Sequence, residues 1–308
     1  MSPVVELLIF FIFYRYSMKN NRTTAIALGK ITSSMVIFGT IGIFVRHIAL
    51  PSGTIAFVRG VLGTLFLLII MLIGRKKLSL EAIKKNLISL VISGIFIGIN
   101  WILLFEAYNY TTVACATVCY YLSPVFVMLA APLVLREKLT LKKTLCILTA
   151  LVGVILVSGV IGDGVGELKG IFLGVGAAVF YATVVLINKQ LKNISSYDMT
   201  VIQLACAALT ILPYTLAVEN IDFAAFSPYA LLMLLIVGTV HTGLAYVMYF
   251  GAVKALPAQT AAIFSYIDPA VAILLSALLL KEPIDALGIM GAILVLGSTL
   301  VCELPSRK

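Results

Sequence analysis

Apolar residues along this chain run in long uninterrupted blocks, separated by short clusters rich in Lys, Arg, Gly, Pro and Asn. Runs of this kind read as helices immersed in hydrocarbon, because a bilayer core about 30 Å thick takes roughly 20 helical residues to cross. Ten blocks meet that length: 27–45, 54–73, 86–106, 112–134, 143–160, 168–187, 199–218, 229–252, 257–280 and 285–302. The connections are short, so consecutive helices are expected to be antiparallel neighbours. Val4 to Tyr14 is also apolar but makes only about 16 Å of helix, too little to span. It lacks a small-residue cleavage site, and Met18 followed by Lys19 and Arg22 reads as a cytoplasmic start. Residues 1–24 are therefore read as a tail, with 1–17 either interfacial or upstream of the native start.

Composition agrees with immersion in lipid. Of 308 residues, 62% are hydrophobic and 11% charged, with a mean hydropathy of +1.14. Soluble domains carry about 25% charged residues, and a water-facing skin cannot be built from so few. A cytosolic enzyme, a disordered chain and a nucleic-acid module are excluded despite the net charge of +9. Barrel strands would alternate in polarity over about ten residues, and these blocks do not. Cys115, Cys119, Cys146, Cys206 and Cys302 all lie in apolar stretches without a CxxC pair, so no metal or cofactor is expected.

In a polytopic membrane protein Lys and Arg report orientation, since they accumulate in loops that stay cytoplasmic. With the N-terminus inside, 18 of the 22 Lys and Arg fall in inside loops. Only Arg46, Lys169 and Lys281 fall outside, and Arg59 lies within a span. The expectation is a multi-pass protein of the cytoplasmic (inner) membrane with both termini in the cytoplasm.

The chain also repeats itself. At a shift of 145, Gly98, Phe105, Ala107, Ala116, Tyr121, Pro124, Leu129, Leu133, Leu135 and Glu137 meet identical residues, ten in 40 ungapped positions. Pro and Glu in register are not a product of apolar composition. The expected fold is all-α: ten transmembrane helices as two five-helix repeats, residues 25–160 and 161–308. Five is odd, so the second copy enters the membrane inverted, the architecture of alternating-access transporters with a site near the midplane.

These features resemble the EamA type of ten-helix transporter in the drug/metabolite transporter superfamily. The resemblance rests on Ala107 through Ser123-Pro124 and Leu135-Arg-Glu-Lys-Leu139, and on Ala252 through Asp268-Pro269 and Leu280-Lys-Glu-Pro-Ile284. It rests also on Ile55-Ala-Phe-Val-Arg59, and it covers residues 25–303. It implies movement, often outward, of amino acids, other small metabolites, drugs or nucleotide sugars without ATP hydrolysis, and the chain has no GxxxxGK[ST] loop to contradict that.

Ionisable groups at membrane depth carry an insertion cost of about 2.5–3.5 kcal/mol and are the natural places to look for chemistry. Arg59 suits a substrate carboxylate as a two-pronged donor; the plain alternatives are snorkelling or a pair with Glu106, which would form an outer gate. Asp268 lies near the middle of the ninth block, and a carboxyl held in low dielectric suits a proton carrier or a cation site; the alternative is a helix cap. Pro124 and Pro269 are expected to kink the fourth and ninth helices. His241 is a titrating group or a packed imidazole. Asn100, Trp101, Tyr120, Tyr121, Tyr246, Phe264 and Tyr266 share the depth of the two kinks and are candidates to line the cavity. Glu137 and Glu282 are read as structural end-caps with Thr140 and Asp285, and the glycines at 94 and 98 and at 170 and 174 as close helix contacts within the bundle.

The function expected is a secondary permease that exports amino acids or related zwitterions, with protons as a coupling ion. Multidrug or organic-cation export is the alternative. A membrane-embedded enzyme is the remote one, since one His and one Asp on separate helices make no catalytic cluster. The expected partners are a small solute and the bilayer, with no nucleic acid.

Overall fold

A computed structural model describes residues 22–134, 140–157, 168–220, 226–256, 264–282 and 285–303. The tail expected over 1–17 and Glu137 lie outside them. Every regular element among the described residues is helical. In chain order they are α1 (Arg22–Arg46), α2 (Ser52–Ile73), α3 (Leu80–Tyr110), α4 (Val113–Tyr120), α5 (Ser123–Val134), α6 (Leu141–Val157), α7 (Leu168–Asn188) and α8 (Ser196–Val218). Beyond these come α9 (Pro228–Ile236), a π-helical segment (Val237–Leu244), α10 (Ala245–Ala255), α11 (Ile267–Leu279) and α12 (Ala286–Glu303). Among the described residues, seven helical stretches are long and apolar enough to cross a membrane, and three shorter apolar helices lie at Thr144–Leu156, Ile267–Leu279 and Ala286–Ser298. Large apolar side chains such as Leu72, Ile88 and Leu133 stand more than three-quarters exposed, an outer surface that only hydrocarbon solvates without penalty.

Two boundaries differ from the sequence reading. The third helix runs over Leu80–Tyr110 instead of 86–106, because Ser79 accepts from Ala82 N–H at one end and the chain turns only at Thr111. Glu106 is thus inside a helix, one turn from its end. The prolines start helices instead of bending them. The chain breaks at Tyr121–Leu122 and again at Tyr266, and Pro124 and Pro269 fall in the first turns of α5 and α11, where a missing N–H leaves no acceptor unpaired. The two breaks sit at equivalent points of the 145-residue repeat.

Packing follows the duplication. α3 packs on α7 and α8, α1 packs on α10 and α11, and α2 packs on α8 and on the π segment. α4 meets α11, α6 lies along α12, and α4 and α5 lie along α7. Exchanging the helices α1–α6 for those from α7 onward, in chain order, maps these pairings onto themselves. Close approach is made by the glycines marked in the sequence. Gly94 and Gly98 face Gln203 and Ala207 of α8, while Gly170 and Gly174 face Thr111, Ala116 and Cys119, so both pairs act inside the bundle.

Polar links fasten the helix ends. Glu282 accepts from Arg46 (2.8 Å), from the Val113 N–H at the start of α4 (2.9 Å) and from the Ser276 hydroxyl. Glu219, at the end of α8, accepts from the N–H groups of Gly53 (2.6 Å) and Thr54 (2.8 Å) at the start of α2. These are helix caps supplied across the repeat boundary, a carboxylate at the positive end of each helix. Asp285 caps α12 through Gly288 N–H at 2.7 Å, as expected of a residue before that helix.

Candidate functional site

Arg59 is carried by α2 about 10 Å from its first residue and is only 5% exposed. Its guanidinium carbon lies 4.2 Å above the Trp101 ring and 5.4 Å from Phe105, one turn further along α3. Its Nε–H donates to Thr242 Oγ1 at 2.7 Å. Among the described residues that is the group's single hydrogen bond and it forms no ion pair. The expected Arg59–Glu106 gate is therefore corrected: Glu106 accepts from Ser52 at the start of α2 (2.8 Å) and from Asn109 in its own last turn (3.2 Å). The ion pair that does join distant helices there is Arg46–Glu282.

Asp268 opens the other pole. It stands in the first turn of α11, and its carboxylate accepts from the Tyr121 hydroxyl at 2.7 Å. Tyr121 lies on the matching break of the first repeat and its ring faces Tyr266 at 6.2 Å. Tyr120 meets Tyr121 edge-on at 6.0 Å and Tyr181 of α7 at 5.4 Å. Tyr246 meets Phe38 edge-on at 5.4 Å. Tyr108 and Tyr120 are within electrostatic reach of both Arg59 and Asp268, yet the two charged side chains do not pair. Tyr120, Tyr121, Tyr246 and Asp268 are all only partly buried.

His241 and Thr242 come from the π-helical segment. His241 Nε2 lies 2.8 Å from Thr40 Oγ1 on α1, and its ring packs edge-on against Phe44 at 4.8 Å. The side chain serves the α1 contact. Asn100 is set apart: its amide donates to Ala177 O at 2.6 Å and ties α3 to α7. Phe264 is buried against α1 in a cluster with Ala27, Leu28, Ile31 and Met35. Of the residues singled out from sequence, the structure thus gathers Arg59, Trp101, Tyr120, Tyr121, Tyr246, Tyr266 and Asp268. It adds Phe105, Tyr108, Tyr181 and Thr242. Phe105 was accessible from sequence as the residue one turn beyond Trp101, and Thr242 as the polar neighbour of His241 in an apolar helix; Tyr108 and Tyr181 carried no such signal. Among the described residues no group of His, Cys, Asp and Glu is arranged to hold a metal.

The EamA-like transporter family matches residues 23–159 and residues 168–303. The chain belongs to this family. It is 31% identical over 282 residues to an uncharacterized transporter, YxxF, of Bacillus subtilis, covering 90% of this chain and 89% of that one. It is 25% identical over 275 residues to an uncharacterized transporter of Archaeoglobus fulgidus, covering 88% and 94%. A human protein, solute carrier family 35 member G1, is 32% identical over 126 residues, 37% of this chain. A solved crystal structure superposes with a TM-score of 0.65 over 90% of this chain and 96% of its own, at 16% identity, a likeness of fold alone. Family and relatives make this a multi-pass membrane transporter of small solutes and point away from an enzyme.

Proposed function

We propose that the protein is a secondary active transporter that exports small zwitterionic metabolites, amino acids foremost, across the cytoplasmic membrane by alternating access. The observation that carries this reading is a buried guanidinium, stacked on Trp101 and unpaired with any acid among the described residues. A cation so placed in a membrane interior is held at a cost, and a solute carboxylate supplies its missing partner. Asp268 and the aromatic rings offer the opposite pole to an ammonium group. The two repeats, 25–160 and 161–308, are inverted, rock about this site, and leave both termini in the cytoplasm. Asp268 couples transport to protons, being an acid in the first turn of a broken helix, held by one tyrosine hydroxyl.

Counterflow in liposomes containing only this protein, with a panel of labelled amino acids and organic cations, tests the reading. Amino-acid counterflow that Arg59→Met abolishes supports it. Organic-cation flux indifferent to Arg59→Met favours a multidrug exporter instead. Asp268→Asn should abolish or uncouple flux while folded protein remains in the membrane; a normal pH-dependent flux removes Asp268 from coupling. Topology tags at Arg136 and Lys281 on one side of the bilayer overturn the inverted repeat.

A further inference from the structure

The π-helical segment Val237–Leu244 carries two adjacent polar side chains, His241 and Thr242, in a largely apolar helix. Thr242 Oγ1 donates to Val237 O, five residues back, at 3.0 Å, and accepts Arg59 Nε–H at 2.7 Å. His241 Nδ1 lies 3.4 Å from Ile236 O, again five residues back, while its Nε2 reaches Thr40. These two consecutive residues of the wide turn face two different helices, α2 and α1. Adding or removing the extra residue of a π turn rotates the remainder of the helix by about 100°, which would carry Thr242 off Arg59. The segment is seated by close contacts with α2: Gly238 against Leu62, Gly243 against Phe66, and Thr242 against Gly63. At the 145-residue shift Thr242 corresponds to Ile97 and His241 to Phe96, in the unbroken α-helix of α3. The π turn thus occurs in the repeat that carries the polar pair.

Arg59 needs such a fixture. A guanidinium has five N–H donors in a rigid plane, and two rings beneath it fix its height but not its rotation. A hydrogen bond on Nε sets that rotation and turns the Nη edge, the edge that grips a carboxylate in two parallel bonds, away from Thr242. We infer that Thr242, delivered by the π-helical segment, is the positioning residue that locks Arg59 flat on Trp101 with its two-pronged edge presented to the solute. The inference rests on the proposed role of Arg59 as carboxylate receptor.

Trp101 is the single tryptophan of the chain, so intrinsic fluorescence reads this site alone. The experiment uses the purified full chain in lipid nanodiscs with no solute added. Arg59→Met gives the emission maximum and lifetime of the indole without a cation above it; if that variant does not fold, Arg59→Lys serves, since an ammonium cannot reproduce the planar stack. Thr242→Val, which keeps the shape and removes the acceptor, should move emission and lifetime from the wild-type values toward that reference. Thr242→Ser should keep the wild-type values, and Thr242→Cys should fall between. Val and Cys variants that fold with wild-type emission overturn the inference, as does a folded Ser variant that behaves like Arg59→Met. In counterflow, Thr242→Val should raise KM about tenfold with little change in maximal flux, the loss of one hydrogen bond to a charged group. Emission that behaves as expected, with no carboxylate-bearing solute moved by the wild type, keeps the positioning role and removes the transport reading. Amino-acid flux with unchanged emission does the reverse.

Discussion

Glu282 holds three donors at once, and the structure says which of them matters most. Arg46 reaches it from an end of α1 where its side chain is one-third exposed, so this ion pair contributes at most about 1 kcal/mol. Val113 is only 1% exposed and Ser276 is fully buried, so the Val113 N–H and the Ser276 hydroxyl lie where bulk water does not reach to replace the carboxylate. Hydrogen bonds to a charged group contribute about 1.5–3 kcal/mol, and stranding a buried amide forfeits that in full. Arg46→Met should then destabilise by about 1 kcal/mol or less, since it leaves Glu282 with its other two donors. Glu282→Ala should destabilise by about 2–4 kcal/mol. Glu282→Gln should fall between the two, because the amide can keep its oxygen on Val113 but sets an NH2 donor against the Arg46 guanidinium, which has no acceptor to offer. Thermal unfolding in detergent reads these as midpoint losses of roughly 1–3 °C for Arg46→Met and 5–10 °C for Glu282→Ala. Equal losses for Arg46→Met and Glu282→Ala would refute the reasoning, for the ion pair would then be the whole contribution and the helix cap nothing.

Other consequences are checked as directly. Gly39→Ala sets a methyl group 2.6 Å from Asp268 O and 2.7 Å from Val271, so α1 must part from α11; solute flux should be lost with folded protein retained, while Gly29→Ala on the same helix, with nothing within 4 Å, leaves flux unchanged. Arg59→Lys keeps a cation but loses the stack and the fork, and counterflow should fall at least about tenfold with the unfolding midpoint within a few degrees of wild type. Glu219→Ala uncaps the Gly53 and Thr54 amides, and hydrogen exchange at the start of α2 should accelerate while α8 is unaffected.

Length and period made most of the frame legible. Blocks of roughly 20 apolar residues forecast the helices, and the repeat placed two proline-marked breaks at one depth, where the chain does break before Pro124 and Pro269. The form of the breaks was not legible, because a proline reads equally as a kink inside a helix or as the opening of one, and only the turn at Tyr121 and at Tyr266 decides. The site was legible in its charges and less so in its partners. Arg59 and Asp268 stand out as charges in apolar surroundings, but sequence separation hides which acid a base meets, and depth alone pairs Glu106 with Arg59. Its actual donors, Ser52 and Asn109, lie across a helix contact and within its own last turn. The π turn left only an oblique trace, a His-Thr pair between Gly238 and Gly243, since no local propensity distinguishes a wide turn from a regular one.

The duplication sorts the site residues into two kinds, and that sorting bears on how it works. Trp101 and Tyr246 correspond at the 145-residue shift, as do Tyr121 and Tyr266 and Phe105 and Phe250, so aromatic rings recur in both copies. The polar groups do not: Arg59 corresponds to Leu204, Thr242 to Ile97, Thr40 to Val185 and Asp268 to Ser123. Arg59, Thr40, Thr242 and Asp268 all come from α1, α2, the π segment and α11, and their contacts across the bundle are with rings: Arg59 on Trp101 and Phe105, Asp268 on the Tyr121 hydroxyl. A wall of matched aromatics holds a solute in either orientation with similar energy, whereas one cation and one acid that do not pair with each other select a single orientation. On the proposed alternating-access mechanism, the matched aromatic frame lets two inverted halves exchange roles during a rocking cycle, and the unmatched charges keep the poles of a zwitterionic solute assigned to the same half-bundle throughout it.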